Sequence, residues 1–270
     1  MTDRPFISFM TDFGVGSSAP SVCRGVMLDI TPDARLIDVT HAIRHFALRD
    51  GAFLLARSVP YFPVGVHVAV VDPGVGTARR PIALKAARGD YLVGPDNGLL
   101  VPAARALGGI VAARALENRA LWLPNVSHTF HGRDIFSPVA AHLASGVELG
   151  KLGPALDPAA LRRLVVPEPA VGEARIRATV LYIDRYGNVQ LNLTAEHLAR
   201  VGIEPGSRVE VEVGFERYFA SAARTFADAR MGDIVVYEDA YANIALAINR
   251  GNAAQMFSVR VGDELRLTGA

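Results

Sequence analysis

Residues 70–79 have the sequence VVDPGVGTAR, in which an apolar run ends in an acid and a Pro-Gly turn follows. A short buried strand that ends this way places its carboxylate at the carboxyl edge of an open α/β sheet, where such sheets bind ligands. No Gly-Lys-Ser/Thr follows, so the segment is not typical of a phosphate-binding loop. The stretch therefore predicts an α/β sheet and makes Asp72 a candidate site residue, with a turn or helix cap as the structural alternative.

The sequence on both sides of this stretch alternates between strand-like and helix-like segments. Apolar runs predict strands over residues 6–10, 35–39, 67–71, 82–84, 91–93 and 110–113. Longer periodic segments predict helices over residues 21–30, 47–58, 100–107 and 135–145. This alternation favours a mostly parallel sheet covered by helices on both faces.

The character of the chain changes at residues 153–172, where four prolines indicate a connection. Beyond it, predicted strands cover residues 174–183, 188–193, 208–213, 234–237, 244–248 and 264–268. Short strands separated by glycines favour a small antiparallel β-barrel. We therefore predict an α/β domain over residues 1–165, a linker over 166–172 and a barrel domain over 173–270, and we find no internal repeat.

Composition restricts the kind of partner. The net charge of the 270 residues is +1, which argues against a dedicated nucleic-acid or membrane surface and favours a small-molecule substrate. Cys23 is the only cysteine, so we interpret it as a packed apolar residue. No leader-like segment and no apolar run of about 18 residues is evident, so we expect a cytoplasmic protein.

Four further stretches share the character of the first: SFMTDFG at residues 8–14, GPDNGLL at 94–100, TFHGRDIF at 129–136 and IDRYGNVQLN at 183–192. Taken in order, from about residue 8 to 252, the chain resembles the S-adenosylmethionine hydroxide adenosyltransferases, the hydrolase branch of the fluorinase and chlorinase superfamily. The resemblance implies hydrolysis of S-adenosyl-L-methionine to adenosine and L-methionine, with no metal and no cofactor. It also implies a homotrimer with active sites between subunits.

The chemistry of this reaction explains which residues matter. The sulfonium leaves as a neutral thioether, so the reaction needs an activated water at C5′ and no acid for the leaving group. The resemblance implies that Asp72, Arg79 and His131 activate this water. Arg80 and His128 are neighbouring alternatives, but the seven-residue spacing from Asp72 and the Phe-His-Gly-Arg-Asp context favour Arg79 and His131.

Substrate-binding residues of the first domain follow from the same resemblance. Asp12 corresponds to the carboxylate that binds both ribose hydroxyls, a task suited to an acceptor with two oxygens. A helix N-cap is its structural alternative. Phe46 and Phe130 correspond to aromatic residues beside the nucleoside, and ordinary core packing is the alternative for both.

In the second domain, the resemblance assigns Asp184 to the methionine ammonium, Asn188 to a hydrogen bond with adenine, and Tyr186 to stacking on it. The sequence Asp-Arg-Tyr-Gly-Asn is also typical of a hairpin turn, and the same segment can both form a turn and bind the substrate. Residues 249–252 correspond to a segment that contacts adenine through main-chain groups, which makes Arg250 a candidate.

One departure from the family affects the methionine end. The family often has Asn-Ser where this chain has Asp239-Ala240, and the Ser helps to bind the methionine carboxylate. We therefore add Tyr241, the next residue, as a candidate that compensates.

Three other functions remain as alternatives. A halide-using transferase is disfavoured, because the fluorinase pattern has Tyr at the position of Asp72, and a carboxylate repels a halide. A metal-dependent hydrolase of a nucleoside-type substrate could use the H-x-x-H-x-x-D spacing of His128, His131 and Asp134. A non-catalytic nucleoside-binding protein would keep Asp12 and Asn188 but has no need of Asp72, Arg79 and His131 together.

Overall fold

The computed structural model describes residues 4–270, which form two compact units that divide between Leu164 and Val165. The division falls inside the proline-containing connection at residues 153–172. Residues 170–171 already form a strand of the second unit. In residues 4–270, every helix is too short or too polar to cross a bilayer.

The first unit contains a six-stranded sheet in the order β2-β1-β3-β5-β4-β6. Its strands are β1 Phe6–Thr11, β2 Arg35–Thr40, β3 Val66–Val70, β4 Pro81–Ala86, β5 Tyr91–Pro95 and β6 Ile110–Ala115. β1, β2, β3 and β5 are parallel, whereas β4 runs antiparallel to both β5 and β6. Every residue of β1 and β3 is buried, as expected for central strands with both faces covered. The predicted mostly parallel sheet is confirmed.

Helices cover both faces of this sheet. They are α1 Ala19–Ile30, α2 Leu48–Ser58, α3 Val101–Ala106 and α4 Ser137–Ala144, with a π-helical turn at Gly132–Phe136 immediately before α4. Successive strand residues point to opposite faces, so Phe9 packs in the core with α1 and α4 while Met10 packs in the core with α2 and α3. Cys23 lies in the first of these cores, where burial raises the pKa of its thiol to about 11.

The pairing of β1 with β3 positions the site. Thr11 lies opposite Val70 in the parallel register, so Asp12 and Asp72 leave neighbouring strands at the same edge of the sheet. Carboxyl ends of neighbouring parallel strands are where open α/β sheets bind ligands.

The second unit is a closed seven-stranded barrel with one added strand. Its strands are β7 Ala170–Val171, β8 Arg175–Ile183, β9 Val189–Leu191, β10 Arg208–Val213, β11 Glu216–Ala222, β12 Ile234–Glu238, β13 Ile244–Ile248 and β14 Glu264–Gly269. Pairing of β14 with β8 closes the barrel, and β7 adds to β8 outside the ring. The predicted barrel is confirmed; within it, the pair β11–β12 is parallel rather than antiparallel. Two short helices, α5 Ala195–Ala199 and α6 Ala253–Phe257, lie between strands.

Sequence analysis missed β11. The strand points its small residues Ala220 and Ala222 into the barrel, while polar and aromatic side chains alternate on the other face. A strand whose inward positions near its end are alanines lacks the apolar alternation by which strands are recognised.

Candidate active site

A cavity of about 200 Å³ lies where β1 and β3 end. Five predicted site residues of the first unit line it, namely Asp12, Phe46, Asp72, Phe130 and His131. The remaining lining residues are Phe13, His45, Val70, Val75, Thr129 and Gly132. The structure therefore brings together residues that lie more than 100 positions apart in the sequence.

Arg79 joins Asp72 to His131 at this cavity. Its Nε donates to Asp72 Oδ1 at 3.1 Å and its Nη2 donates to Asp72 Oδ2. Nη2 also lies 3.0 Å from His131 Nδ1. The side chains of Arg79 and Asp72 are only 7% and 6% exposed, and Arg79 also packs over the Phe136 ring. Of the two neighbouring arginines, it is Arg79 that contacts Asp72.

The contact with Arg79 fixes the protonation of His131. A guanidinium group can only donate, so His131 Nδ1 must present its lone pair, and a neutral ring then carries its hydrogen on Nε2. Burial, followed by the charge of Arg79, lowers the pKa of His131 below its ordinary value, against the opposing charge of Asp72. His131 is therefore a neutral donor through Nε2–H rather than a cation.

A glycine seats the loop that carries Asp72 and Arg79. Gly76 has a φ of +76°, and a Cβ there would lie 2.5 Å from the carbonyl oxygen of His128. Only glycine allows this approach without displacement of the loop. His128 thus contributes its backbone to the site, and its side chain is exposed, whereas the side chain of His131 reaches Arg79.

Asp12 and Phe46 are directly connected. The backbone N–H of Phe46 donates to Asp12 Oδ2 at 3.1 Å, and Phe46 adopts a left-handed φ of +62°. The Phe46 ring is 66% exposed, so the core-packing alternative does not describe it. The N-cap residue of the following helix α1 is Ser18 rather than Asp12. One oxygen of Asp12 thus braces the Phe46 loop, and the carboxylate lies at the cavity with its other oxygen available to a ligand.

Phe130 forms an aromatic pair with Phe13, with ring centroids 5.6 Å apart in an edge-to-face arrangement. Gly132 makes this pair possible, because a Cβ there would lie 2.8 Å from Cζ of Phe13. Arg133 also packs over the Phe130 ring, 4.9 Å from its centroid. Sequence analysis missed Phe13, although it directly follows Asp12 in the motif at residues 8–14.

The side chains of the alternative metal site do not converge. Asp134 is fully buried, and its oxygens accept from Arg133 Nε at 2.6 Å and from the N–H of Ser127 at 2.8 Å. His128 is exposed on the surface. Within residues 4–270, no three His, Cys, Asp or Glu side chains are grouped to hold a metal ion.

In the second unit, Asp184 caps the turn between β8 and β9. Its Oδ1 accepts from the N–H groups of Tyr186 and Asn188 at 2.8 and 2.9 Å, and its Oδ2 accepts from Asn188 Nδ2 at 2.8 Å. The turn interpretation is therefore correct for this segment. The Tyr186 ring remains 63% exposed, with Arg185 stacked 4.7 Å from its centroid.

The turn between β12 and β13 repeats this arrangement. Asp239 Oδ1 accepts from the N–H groups of Tyr241 and Asn243 at 2.8 and 2.9 Å, so both turns share the pattern Asp-x-Tyr-x-Asn. The shared pattern was not noticed in the sequence, because five residues are too few to stand out without the hydrogen bonds that both turns make. Burial raises the pKa of Tyr237 to about 12, and the charges of Asp184 and Asp239 add to this rise. The Tyr237 hydroxyl therefore lies near both turns.

Arg250 lies just after β13 with a left-handed φ of +61°, and its side chain is exposed. The segment that contains it contacts the first turn: Asn252 packs against Gly187, whose carbonyl accepts from the N–H of Ala254 at 2.9 Å. The structure thus brings residues 249–252 next to Tyr186 and Asn188.

An α/β sheet with a polar cluster at its carboxyl edge, followed by a β-barrel, defines a two-domain protein of mixed α/β class with its candidate active site in the first unit. Residues 7–153 match the family model described as SAM hydroxide adenosyltransferase N-terminal domain, and residues 178–266 match its C-terminal domain. The chain belongs to this family.

Known relatives agree with this assignment. The chain is 48% identical to the (R)-S-adenosyl-L-methionine hydrolase of Salinispora tropica, over 99% of each chain. A fluorinase of an Actinoplanes species is more distant, at 28% identity over 99% of this chain and 98% of the relative. A crystal structure of an uncharacterized conserved protein from Thermotoga maritima superposes with a TM-score of 0.91 at 36% identity, covering 97% of this chain and 99% of the other.

Proposed function

We propose that this protein is an S-adenosyl-L-methionine hydrolase that forms adenosine and L-methionine. The observation that carries the proposal is the buried Asp72–Arg79–His131 cluster on the cavity that Asp12 also lines. The 48% identical relative is named for the (R) epimer at the sulfonium sulfur, so we propose the (R) epimer as the substrate.

The reaction is a displacement at C5′. Oxygen of water forms the new bond to C5′, the C5′–S bond breaks, and its electron pair leaves with the sulfur of methionine. The cationic substrate and water thus yield adenosine, methionine and one proton. Expelling a neutral thioether requires neither an acid nor a metal, so the enzyme has only to orient the water and stabilise its developing hydroxide character.

Each residue of the cluster has a defined part in this step. His131 donates its Nε2–H toward the water oxygen. Arg79 supplies positive charge, and its Nη1 is buried with no hydrogen-bond partner among the described residues, so it is a further donor for the water. Asp72 holds Arg79 through both carboxylate oxygens and is the nearby base that can take the proton released.

Asp12 binds the ribose in this proposal. One of its oxygens is engaged by Phe46 N–H, and the carboxylate retains lone pairs for the ribose hydroxyls. Phe46 and Phe130 provide aromatic surface beside the nucleoside. Asp184, Tyr186, Asn188, Tyr241 and Arg250 are proposed, from the resemblance, to bind the adenine and methionine ends.

Two alternatives have less support. A carboxylate on the cavity, Asp72, opposes the binding of a halide. For the metal-dependent hydrolase, the three proposed ligands do not form a group that could hold a metal ion in residues 4–270, and the carboxylate of Asp134 already bonds to Arg133 and Ser127. We therefore propose a reaction without metal or cofactor, and full activity after treatment with a chelator is the expected result.

Hydrolysis in water enriched in ¹⁸O tests the proposal. The label should appear in the 5′-hydroxyl of adenosine, and the (R) epimer should react faster than the (S) epimer. Release of adenine, or label in a product derived from the methionine chain, would contradict attack at C5′. Added chloride should produce no chlorinated nucleoside.

The assembly and location rest on the resemblance and on the sequence. We propose a homotrimer with shared active sites, located in the cytoplasm. If sites are shared, an inactive Asp12→Ala variant mixed with an inactive Asp184→Ala variant should recover partial activity after subunit exchange. A fully active monomer would rule out shared sites.

A further inference from the structure

The motif GPDNGLL at residues 94–100 has so far no part in the reaction. It begins at the end of β5, which pairs in parallel with β3. Its residues Asp96 and Asn97 therefore emerge at the same edge of the sheet as Asp72. Asp96 contacts Arg80 at the end of the loop of residues 72–80, and Asn97 contacts Val71, which directly precedes this loop.

Asn97 holds the start of this loop. Its Nδ2 donates to the carbonyl oxygen of Val71 at 2.9 Å, and Val71 directly precedes Asp72. Its Oδ1 accepts from the N–H of Leu99 at 3.2 Å, which fixes the orientation of the amide.

Asp96 holds the end of the same loop. Its backbone N–H donates to the carbonyl oxygen of Arg80 at 2.9 Å, and its Oδ2 accepts from Arg80 Nε at 3.0 Å. Its Oδ1 accepts from the N–H of Arg162 at 2.9 Å. Asp96 is only 3% exposed, so these bonds are shielded from water.

We propose that Asp96 and Asn97 are positioning residues that clamp both ends of the catalytic loop and thereby set the contact of Arg79 with Asp72 and His131. The inference rests on the proposed function. Asp96 and Asn97 directly follow strand β5. Their hydrogen bonds hold Arg80, which follows Arg79, and Val71, which precedes Asp72. A displacement of about 1 Å in a catalytic group can lower turnover by about 10²-fold, so such a clamp affects turnover more than binding.

Asn97→Ala tests the clamp, with Asn118→Ala as its matched control. Asn118 makes the same pair of contacts elsewhere in the first unit: its Nδ2 donates to Lys151 O at 2.8 Å and its Oδ1 accepts from Ala120 N–H at 3.2 Å. Both variants should lose similar thermal stability. Only Asn97→Ala should lower kcat, by about tenfold or more, while its Kd for adenosine stays within about twofold of wild type.

Asn97→Asp separates the donor from the acceptor. This variant keeps Oδ1 for Leu99 but loses the donation to Val71, so its kcat should fall as in Asn97→Ala. If Asn97→Asp alone lost activity, the added charge and not the clamp would be responsible. Equal losses of kcat in the Asn97 and Asn118 variants would show a general structural effect and overturn the inference.

A second measurement does not depend on hydrolysis. Titration of the His131 ring, followed by ¹H–¹⁵N NMR, should show a higher pKa in Asn97→Ala, because Arg79 moves away. Asn118→Ala should titrate as wild type. If wild type fails to hydrolyse the substrate, the proposed function is wrong, yet this titration still decides the clamp; an unchanged titration in Asn97→Ala rejects it.

Discussion

Two adjacent arginines of the first unit form ion pairs that differ in kind. Arg79 pairs with Asp72 where both side chains are buried, and it extends to His131 with one donor nitrogen left without a partner among the described residues. Arg80 pairs with Asp96, is itself 41% exposed, and also donates to the carbonyl of Ala160 at 3.2 Å. The carboxylate of Asp96 is fully used by Arg80 and Arg162.

This is the difference that we expect between a pair that takes part in the reaction and a pair that supports the structure. Ion pairing alone does not distinguish the two arginines, because each of them forms an ion pair with a carboxylate. What distinguishes Arg79 is a buried donor nitrogen, Nη1, without a partner among the described residues, on a side chain that contacts two residues of the cavity wall, Asp72 and His131. A buried donor without a partner is costly unless something binds there. Arg80 bonds to Asp96 and to the carbonyl of Ala160, so we expect it to stabilise the loop and not to contact the water.

The largest expected effect comes from replacing each arginine with lysine. Arg79→Lys should lower kcat by about 10²-fold or more, because one ammonium cannot bridge Asp72 bidentately and reach His131. Arg80→Lys should lower kcat by less than about tenfold. Steady-state kinetics with S-adenosylmethionine measures kcat of both variants. Similar losses of kcat would show that the two arginines do not differ in their role.

Replacing each carboxylate with its amide should separate the two ion pairs by the loss of kcat. Asp72→Asn should lower kcat by about 10²-fold and also lower Tm, because it leaves the buried guanidinium of Arg79 without its counter-charge. Asp96→Asn should lower kcat by less than about tenfold and cost about 1–2 kcal/mol of stability, a few degrees in Tm, since its arginine partner is partly solvated. Kinetics and thermal unfolding of both variants check this, and a reversed pattern would contradict our assignment.

Gly76→Ala tests whether the loop must sit against residue 128. The new Cβ would meet the His128 carbonyl at 2.5 Å, whereas Gly109, with a φ of +102°, has open space around its Cβ position. Both Ala variants should lose about 1 kcal/mol from backbone strain. Only Gly76→Ala should also lower kcat, by about tenfold. Equal kcat in the two variants would show that activity does not need the close contact between Gly76 and the His128 carbonyl.

The smallest effect concerns pH. In the proposed reaction His131 acts as a neutral ring, and its pKa lies below the ordinary value of 6.5. Activity should therefore persist as the pH falls below 6.5 and decline only as the pH passes through the lowered pKa. Because the charge of Asp72 raises the pKa of His131, Asp72→Asn should shift the ring titration to still lower pH. A pH–kcat profile and NMR titration measure these changes, and activity that falls as the pH rises through the pKa of His131 would mean that the ring acts as a cation.

The sequence predicted most elements, because strand and helix periodicity are local properties. It predicted the central strands from their continuous apolar runs, and it missed β11, where the inward residues Ala220 and Ala222 are small. It also indicated that Asp12 and Asp72 end strands. That these strands are neighbours, with Thr11 opposite Val70, is a property of the sheet order and cannot be read from either segment alone.

The sequence by itself thus determined the fold class, the family resemblance and the candidate residues, since motif and periodicity lie along the chain. Only the tertiary structure decided that Arg79 rather than Arg80 meets Asp72, that Arg79 contacts His131 Nδ1, and that Asn97 bonds to Val71. Each of these depends on a hydrogen bond between segments up to 52 residues apart. Such bonds are directional and hold over about 3 Å, so they exist only once the packed strands have fixed both partners.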